Sequence, residues 1–190
     1  MRTRYVFSAI LSLVFTSGAA PPARAQAGAE TFAATAVVKT AAGAMASAPV
    51  SIVVDRKMSE AEAGRLTSAF NAGGLPALRK ALVGVAPTGS IRLGSGTPTA
   101  SRILIERVTD KGRLLTIVTD EPILFLGAGV ASAKSKAGYD MAVLDIEVDA
   151  KGNGAGMLSP AAKVTVKQGV FVVEDYASEL IRLTDVKKVK

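Results

Sequence analysis

Two segments near the start of the chain, residues 31–40 (TFAATAVVKT) and 49–56 (PVSIVVDR), are rich in the β-branched residues that favour strands. A stretch of small residues separates them. From Gly89 onward, apolar and polar residues alternate with a period of two, which is typical of half-buried strands. The pattern predicts further strands at residues 91–93, 101–109, 114–119, 123–126, 139–149, 163–167, 170–176 and 179–183.

Between these β-rich parts, the pattern changes to helical spacing. Ser59 and Glu62 have the spacing of a capping box, so a helix is predicted to begin there. Two adjacent glycines, Gly73 and Gly74, are predicted to end it, and a second short helix follows with Pro76 in its first turn. The apolar stripe consists of Leu66 and Phe70 in the first helix and Leu75, Leu78 and Leu82 in the second.

Many short strands with turn sequences between them indicate an α+β, mainly β fold. We expect an antiparallel β-sandwich or barrel with one helical insertion of two short helices, at about residues 59–84. Residues 26–190 have the length of a single β-rich domain. Residues 94–100 and 127–138 are rich in glycine, serine and alanine and are predicted loops, the second long enough to form a mobile flap.

The first 25 residues have the pattern of a cleaved signal peptide. Arg2 and Arg4 precede an apolar run at residues 5–15, which is too short to span a bilayer, and Ala23 and Ala25 supply the small residues of a cleavage site. The sequence therefore predicts an exported protein, periplasmic or extracellular. No later stretch reaches the roughly 18 apolar residues of a transmembrane segment.

Removal of the leader, which carries three arginines and no acid, lowers the formal net charge from +7 to about +4. This small excess is spread along the chain, so a nucleic-acid surface is not expected. The exception is the end of the chain, where Lys187, Lys188 and Lys190 cluster. We expect this tail to make only weak contact with anionic surfaces.

The chain contains no histidine and no cysteine. Serine-histidine-acid triads, thiol nucleophiles, disulfides and the common zinc and copper sites all require one of these residue types. Catalysis, if present, would rest on carboxylates, lysine, tyrosine or hydroxyl groups. A bound metal would be an oxygen-ligated ion such as calcium, and no other cofactor is predicted.

Three acids alternate with apolar residues in the segment LDIEVD: Asp145, Glu147 and Asp149. On a strand they would share one face, about 6.5 Å apart, and could form a cation site or an acid/base pair. The favoured interpretation is a solvated face. If the following hairpin closes around residues 152–156, Lys163 lies near Asp145. If Gln168 and Gly169 then form a two-residue turn, Lys163 also faces Glu174, which gives a cross-strand charge ladder.

A second group of acids, Asp120 and Glu121, precedes Pro122 at the end of a predicted strand. Loops at strand ends often carry function, so this is a possible functional corner. The simpler interpretation is a turn, in which Pro122 fixes φ and Asp120 bonds to its own backbone.

Six segments together resemble a family of small secreted bacterial proteins of unknown function. The resemblance implies an exported domain and supplies no site residues; similar chains tend to carry arginine at the position of Glu121. The matching segments are residues 53–56 (VVDR), 73–78 (GGLPAL), 89–92 (GSIR), 119–123 (TDEPI), 144–149 (LDIEVD) and 181–183 (IRL).

The missing catalytic residue types favour an exported, non-catalytic binding or structural domain. Its occupant would be a small apolar ligand, since β-barrels can hold one, or a protein partner. Two alternatives stay open. One is a carboxylate-dependent hydrolase that uses acids from the two groups above, and the other is an oxygen-ligated calcium module.

Overall fold

Within the part of the chain that the structure describes, nine strands and one helix follow one another. The computed structural model describes residues 29–39, 45–123, 138–167, 170–176 and 180–190. The predicted leader, residues 124–126 of a predicted strand and nearly all of the predicted flap lie outside these ranges. The elements are β1 (Glu30–Lys39), β2 (Met45–Val54), α1 (Glu60–Leu82), β3 (Gly89–Leu93), β4 (Thr99–Thr109), β5 (Gly112–Thr119), β6 (Met141–Val148), β7 (Asn153–Lys167), β8 (Val170–Tyr176) and β9 (Ile181–Lys188).

The strands form a closed antiparallel barrel. Eight of them follow the order β6-β5-β4-β3-β2-β1-β9-β7, and a further pairing between β6 and β7 closes the ring. β7 is long enough to pair with three other strands. Its first half pairs with β6 on one side and β9 on the other, while its second half pairs with β8. The prediction of a mainly β fold is thus confirmed, and of the two architectures expected, sandwich or barrel, the structure shows the barrel.

The barrel interior is apolar and tightly packed. Inward positions alternate along each strand, as in β1, where Phe32, Ala34, Ala36 and Val38 are all buried. All eight barrel strands contribute to this one cluster. An eight-stranded barrel is about wide enough to be filled by side chains. Phe32, Ile52, Leu144, Leu158 and Leu183 are each 0% exposed, so no water-sized space adjoins them.

The helix begins where the capping box predicts. The Ser59 hydroxyl accepts a hydrogen bond from the backbone N–H of Glu62 at 3.2 Å, and the Glu62 carboxylate accepts one from the Ser59 N–H at 2.9 Å. The hydrogen bonds that the Glu62 carboxylate accepts from the Ser59 N–H and from Arg56 lower its pKa to about 2. Both reciprocal bonds satisfy N–H groups that a helix start leaves unpaired.

The prediction of two short helices is not confirmed. One helix spans both segments, and its backbone leaves helical geometry only at Gly73 and Gly74. Gly74 has φ 63°, in the left-handed region that glycine adopts readily. The helix resumes because Leu66 and Leu78, on either side of the break, both pack against the same wall of the barrel.

That wall is the outer face of β4 to β7. Leu66, Leu78 and Leu82 of α1 form a second apolar cluster with outward residues of all four strands. These strands are therefore covered on both faces, which explains why residues 141–144 are buried without interruption. Asp145 and Glu147 are more exposed than the residues around them.

Among the described residues, α1 included, we find no helix with the length and hydropathy needed to span a membrane.

Several strands extend further than predicted, and β9 continues to Lys188, five residues beyond its predicted end. β2 begins at Met45 and β7 at Asn153, in segments whose glycine, alanine and serine residues favoured a loop. In β7 the small residues have a packing role: a Cβ built on Gly154 would lie 1.8 Å from the carbonyl oxygen of Glu147. Ala161 and Ala162 are also buried. Close approach of strands selects these residues despite their low strand propensity.

A charge network lies beside the barrel interior. Glu30, Arg113 and Lys188 occupy positions two residues from the buried Phe32, Leu115 and Val186 on their strands. Arg113 Nη2 donates to both Glu30 carboxylate oxygens at 2.8 and 2.9 Å, and Lys188 Nζ donates to Glu30 Oε1 at 2.7 Å. The guanidinium also lies 5.9 Å from the centre of the Phe32 ring. The network therefore holds together the ends of β1, β5 and β9.

Replacing Gly154 tests the closure of the barrel. We expect Gly154→Ala to lower the free energy of unfolding by about 3 kcal/mol, because the added Cβ forces β6 and β7 apart. Gly64→Ala is the control: it lies in α1 with open space around it and should stabilise by up to about 1 kcal/mol. Urea unfolding followed by circular dichroism measures both. Equal stability of wild type and Gly154→Ala would contradict this packing.

Acidification tests the charge network. Burial alone would raise the pKa of Glu30, but hydrogen bonds from Lys188 and Arg113 outweigh it and the pKa is lowered. The ionised group therefore stabilises the fold above the unfolded-state pKa of about 4.3, and this contribution is lost as pH falls through the lower folded pKa.

We expect Glu30→Gln to cost about 2 kcal/mol at pH 7 and progressively less on acidification below pH 4. Urea unfolding at a series of pH values measures the difference from wild type. Glu121→Gln, at an exposed position, is the control and should change little. A Glu30→Gln deficit that persists unchanged at pH 2 would contradict the assignment.

Candidate functional site

A groove of about 540 Å³ lies between the second half of α1 and the sheet. The helix contributes residues from both sides of its break, and the sheet side is formed by β7 and by the segment that leads into β6. The lining residues are Phe70, Leu75, Pro76, Arg79, Gly138, Asp140, Lys163 and Val164.

The groove exists because α1 packs against the sheet on either side of its break but not at the break itself. Leu66 and Leu78 are buried against the sheet, whereas Phe70 and Leu75 are only half-buried and Pro76 is exposed. On the sheet side, Val164 is buried and belongs to the same apolar cluster. The groove thus has apolar surface on both its helix side and its sheet side.

Charged residues also line the groove. Arg79 Nη1 lies 3.3 Å from Asp140 Oδ2, and Arg79 Nη2 donates to the Asp140 carbonyl oxygen at 3.4 Å. The side chain of Arg79 is 45% exposed. Lys163, which stands opposite Asp175 in the pairing of β7 with β8, adds a second cation to the described lining residues. Among the lining residues that the structure describes, Asp140 is the one carboxylate, whereas catalysis by a carboxylate pair requires two.

The predicted corner at Asp120 and Glu121 lies elsewhere and connects parts of the scaffold. Asp120 Oδ2 accepts a hydrogen bond from Arg102 Nε at 2.7 Å, and Arg102 Nη1 donates to the Val85 carbonyl at 3.0 Å. The Thr119 hydroxyl donates to the Glu121 carbonyl oxygen, while the Glu121 side chain is exposed. Asp120 therefore links the end of β5 to β4, and through Arg102 to the segment after α1.

The three acids predicted to share a strand face have separate partners. Asp145 accepts from the Thr116 hydroxyl at 2.5 Å, and Glu147 accepts from the Thr109 hydroxyl at 2.9 Å. Asp149 lies beyond the strand end in a turn. Among the residues that the structure describes, no three acidic side chains gather closely enough to hold a metal ion.

Asp149 shapes the turn between β6 and β7. Its Oδ1 accepts hydrogen bonds from the backbone N–H groups of Asn153 and Lys151 at 2.9 and 2.8 Å. These bonds lower the pKa of Asp149, that from Asn153 most strongly. An aspartate that bonds the backbone two residues on is typical of a tight turn, so the structure gives this side chain a conformational role.

The predicted charge ladder around Lys163 is wrong. In the observed register, Asp145 is opposite Met157, and Lys163 is opposite Asp175 in place of Glu174. The hairpin closes at residues 149–153, earlier than predicted, and a bulge at Lys163 and Val164 shifts the second pairing. Lys163 instead lines the groove.

The terminal lysines are held on the barrel. Lys188 is paired with Glu30, and the backbone of Lys190 exchanges hydrogen bonds with Thr31 at 3.0 and 3.4 Å. Lys187 and Lys190 have exposed side chains. One of the three positive charges is therefore compensated locally. Contact of this tail with an anionic surface stays a prediction.

The groove was not predicted from the sequence. Phe70 and Leu75 were assigned to the apolar stripe of the helices, and Lys163 to a solvated strand face. No sequence pattern indicated that Arg79 and Asp140 lie close together. They are 61 positions apart in the chain, and only the packing of α1 against the barrel brings them into contact. Helical spacing between Leu75 and Arg79 is the one local hint that they share a face.

Comparisons with known proteins give no match to a family model, a curated protein or a solved structure. The resemblance to small secreted bacterial proteins stays a prediction, and the function is argued from the geometry of the chain itself.

Proposed function

We propose that this protein is an exported, non-catalytic binding domain that holds a small apolar ligand in the groove between α1 and β7. The groove is the observation that carries the proposal. Its volume of about 540 Å³ falls within the range of roughly 300–1,000 Å³ typical of small-molecule sites.

The apolar lining supports this assignment. Phe70, Leu75 and Pro76 supply one aromatic ring and two aliphatic side chains from the helix, and Val164 supplies the opposite surface. A half-buried Phe70 or Leu75 gains further apolar contact when a ligand covers it, at about 25 cal/mol per Å² of surface removed from water.

The rigid support beneath the groove also favours a binding function. Leu78, at 0% exposed, fixes the second half of α1 to the wall formed by β4 to β7. A binding surface that is already positioned loses little conformational entropy when the ligand arrives.

The packed barrel interior is the reason for placing the ligand outside it. Phe32, Leu144 and Leu158 are 0% exposed, so a ligand there would have to displace core side chains. The outer groove needs no such displacement.

The observed geometry gives less support to the two alternatives. A carboxylate-dependent hydrolase requires two acids in one concave site that are free to exchange protons with a substrate. Glu147 and Asp149 both line a hollow of about 340 Å³, but Glu147 accepts a hydrogen bond from Thr109 and Asp149 accepts two from the backbone of its turn. A calcium module requires several oxygen ligands around one point, and Asp145, Glu147 and Asp149 each bond a different partner.

Titration with N-phenylnaphthylamine, a neutral apolar fluorophore, tests the proposal. The chain has no tryptophan, so probe fluorescence is measured against a low background. We expect saturable binding that Leu75→Ser weakens about tenfold, because the substitution removes an apolar contact. Val83→Ser is the control, since Val83 caps the same helix, is 86% exposed and lies outside the groove lining.

Circular dichroism shows whether both variants keep the wild-type fold. Failure of the folded wild type to bind the probe, or identical binding by Leu75→Ser, would overturn the proposal. Co-purification of a protein on the same surface, lost in Leu75→Ser, would replace the small ligand with a protein partner.

A further inference from the structure

Two opposite charges lie side by side in the lining of the groove. Arg79 Nη1 is 3.3 Å from Asp140 Oδ2, and the two side chains are 45% and 23% exposed. Lys163, the third charged residue of the described lining, stands opposite Asp175 in the pairing of β7 with β8 and has a partner of its own. The polar group of a ligand therefore meets an ion pair that has no net charge.

This ion pair keeps much of its hydrogen-bonding capacity. A guanidinium has five N–H donors, and an ionised carboxylate has about four acceptor sites. Within the described part of the chain, the polar contacts of both side chains are limited to the pair itself and to one bond from Arg79 Nη2 to the Asp140 carbonyl oxygen at 3.4 Å. An ion pair with this exposure is weak, so a ligand can bond to both of its members.

A pair of opposite charges disfavours ligands that carry a single charge. An anion attracted by Arg79 is repelled by the Asp140 carboxylate only 3.3 Å away, and a cation attracted by Asp140 is repelled by the guanidinium. A ligand with both charges on neighbouring atoms can place each beside its opposite. The ammonium and the carboxylate of a free α-amino acid are attached to the same carbon and meet this requirement.

Apolar surface adjoins the ion pair on the helix. Arg79 follows Leu75 by four residues in α1 and therefore lies on the same face, one turn further on. Phe70 and Val164 line the same groove, from the helix and from the sheet. One molecule can thus contact the charges and the apolar side chains together.

Resting on the proposed function of the groove, we infer that its ligands are free α-amino acids with an apolar side chain. The ligand carboxylate bonds to Arg79, whose planar fork of donors matches it, and the ligand ammonium bonds to Asp140. The four charges then alternate in sign around a ring. The ligand side chain lies against Phe70, Leu75 and Val164.

Competition against bound N-phenylnaphthylamine tests this inference. Free phenylalanine, hydrocinnamate and phenethylamine share one phenyl group and the same carbon chain, but hydrocinnamate lacks the ammonium and phenethylamine lacks the carboxylate. At pH 7 we expect phenylalanine to displace the probe at about tenfold lower concentration than either ion. Glycine has the same charges without an apolar side chain and should not displace the probe over that range.

Substitutions in the ion pair should change the order of the three compounds in opposite directions. Arg79→Gln leaves the charge of Asp140 without its partner, so phenethylamine should become the strongest competitor. Asp140→Asn leaves Arg79 without its partner, so hydrocinnamate should become the strongest. Phenylalanine should weaken about tenfold in both variants. Arg107→Gln is the control and should keep the wild-type order, since Arg107 is an exposed arginine of β4 outside the groove lining.

The outcomes separate this inference from the proposed function. Circular dichroism shows which variants fold, and either variant alone tests the ion pair. Equal displacement by the three compounds, a wild-type preference for one of the two ions, or an unchanged order in a folded variant would overturn the amino-acid assignment and leave the apolar groove as proposed. If the probe itself does not bind to the folded wild type, both proposals fail together.

Discussion

The closure of the barrel through β7 is the constraint on which the rest of the structure depends. Residues 154–158 form ladder hydrogen bonds with β6 on one side and β9 on the other, so every strand of the ring has two neighbours. Closure turns the alternating apolar residues of eight strands toward one interior. It also requires small residues at the points of closest approach, since the backbone of β6 leaves no room for a side chain at Gly154.

Closure leaves the outer wall as the surface on which the helix packs and beside which the proposed binding groove lies. The inward side chains of β4 to β7 pack in the barrel core. Their outward apolar side chains are covered by Leu66 and Leu78 of α1. The break at Gly73 and Gly74 interrupts this contact. The groove lies beside the interruption, between the two anchored parts of the helix, and is thus a consequence of how the core is covered.

Sequence patterns that involve neighbouring residues predicted the local structure correctly. The features that were not predicted depend on contacts between residues far apart in the chain. The capping box of Ser59 and Glu62 placed the helix start at its observed position, because its bonds join residues three apart. Whether the sheet closed was left open between sandwich and barrel, since closure depends on β6, β7 and β9 meeting in space. The first half of β7 was missed because strand propensity treats glycine and alanine as unfavourable, whereas here Gly154 and Ala162 are needed for packing. The groove residues Arg79 and Asp140 are brought together only by tertiary structure.

Two of the candidate acids identified in the sequence have structural partners, and the binding site that we propose lies elsewhere. Asp120 links strand ends through Arg102, and Asp149 orders a turn. Asp140 differs from both, because its only described side-chain partner is an arginine that is nearly half exposed and that borders an apolar groove. An ion pair with so little burial contributes little to stability. The proposed binding function of the groove therefore gives this ion pair a role that its contribution to stability does not.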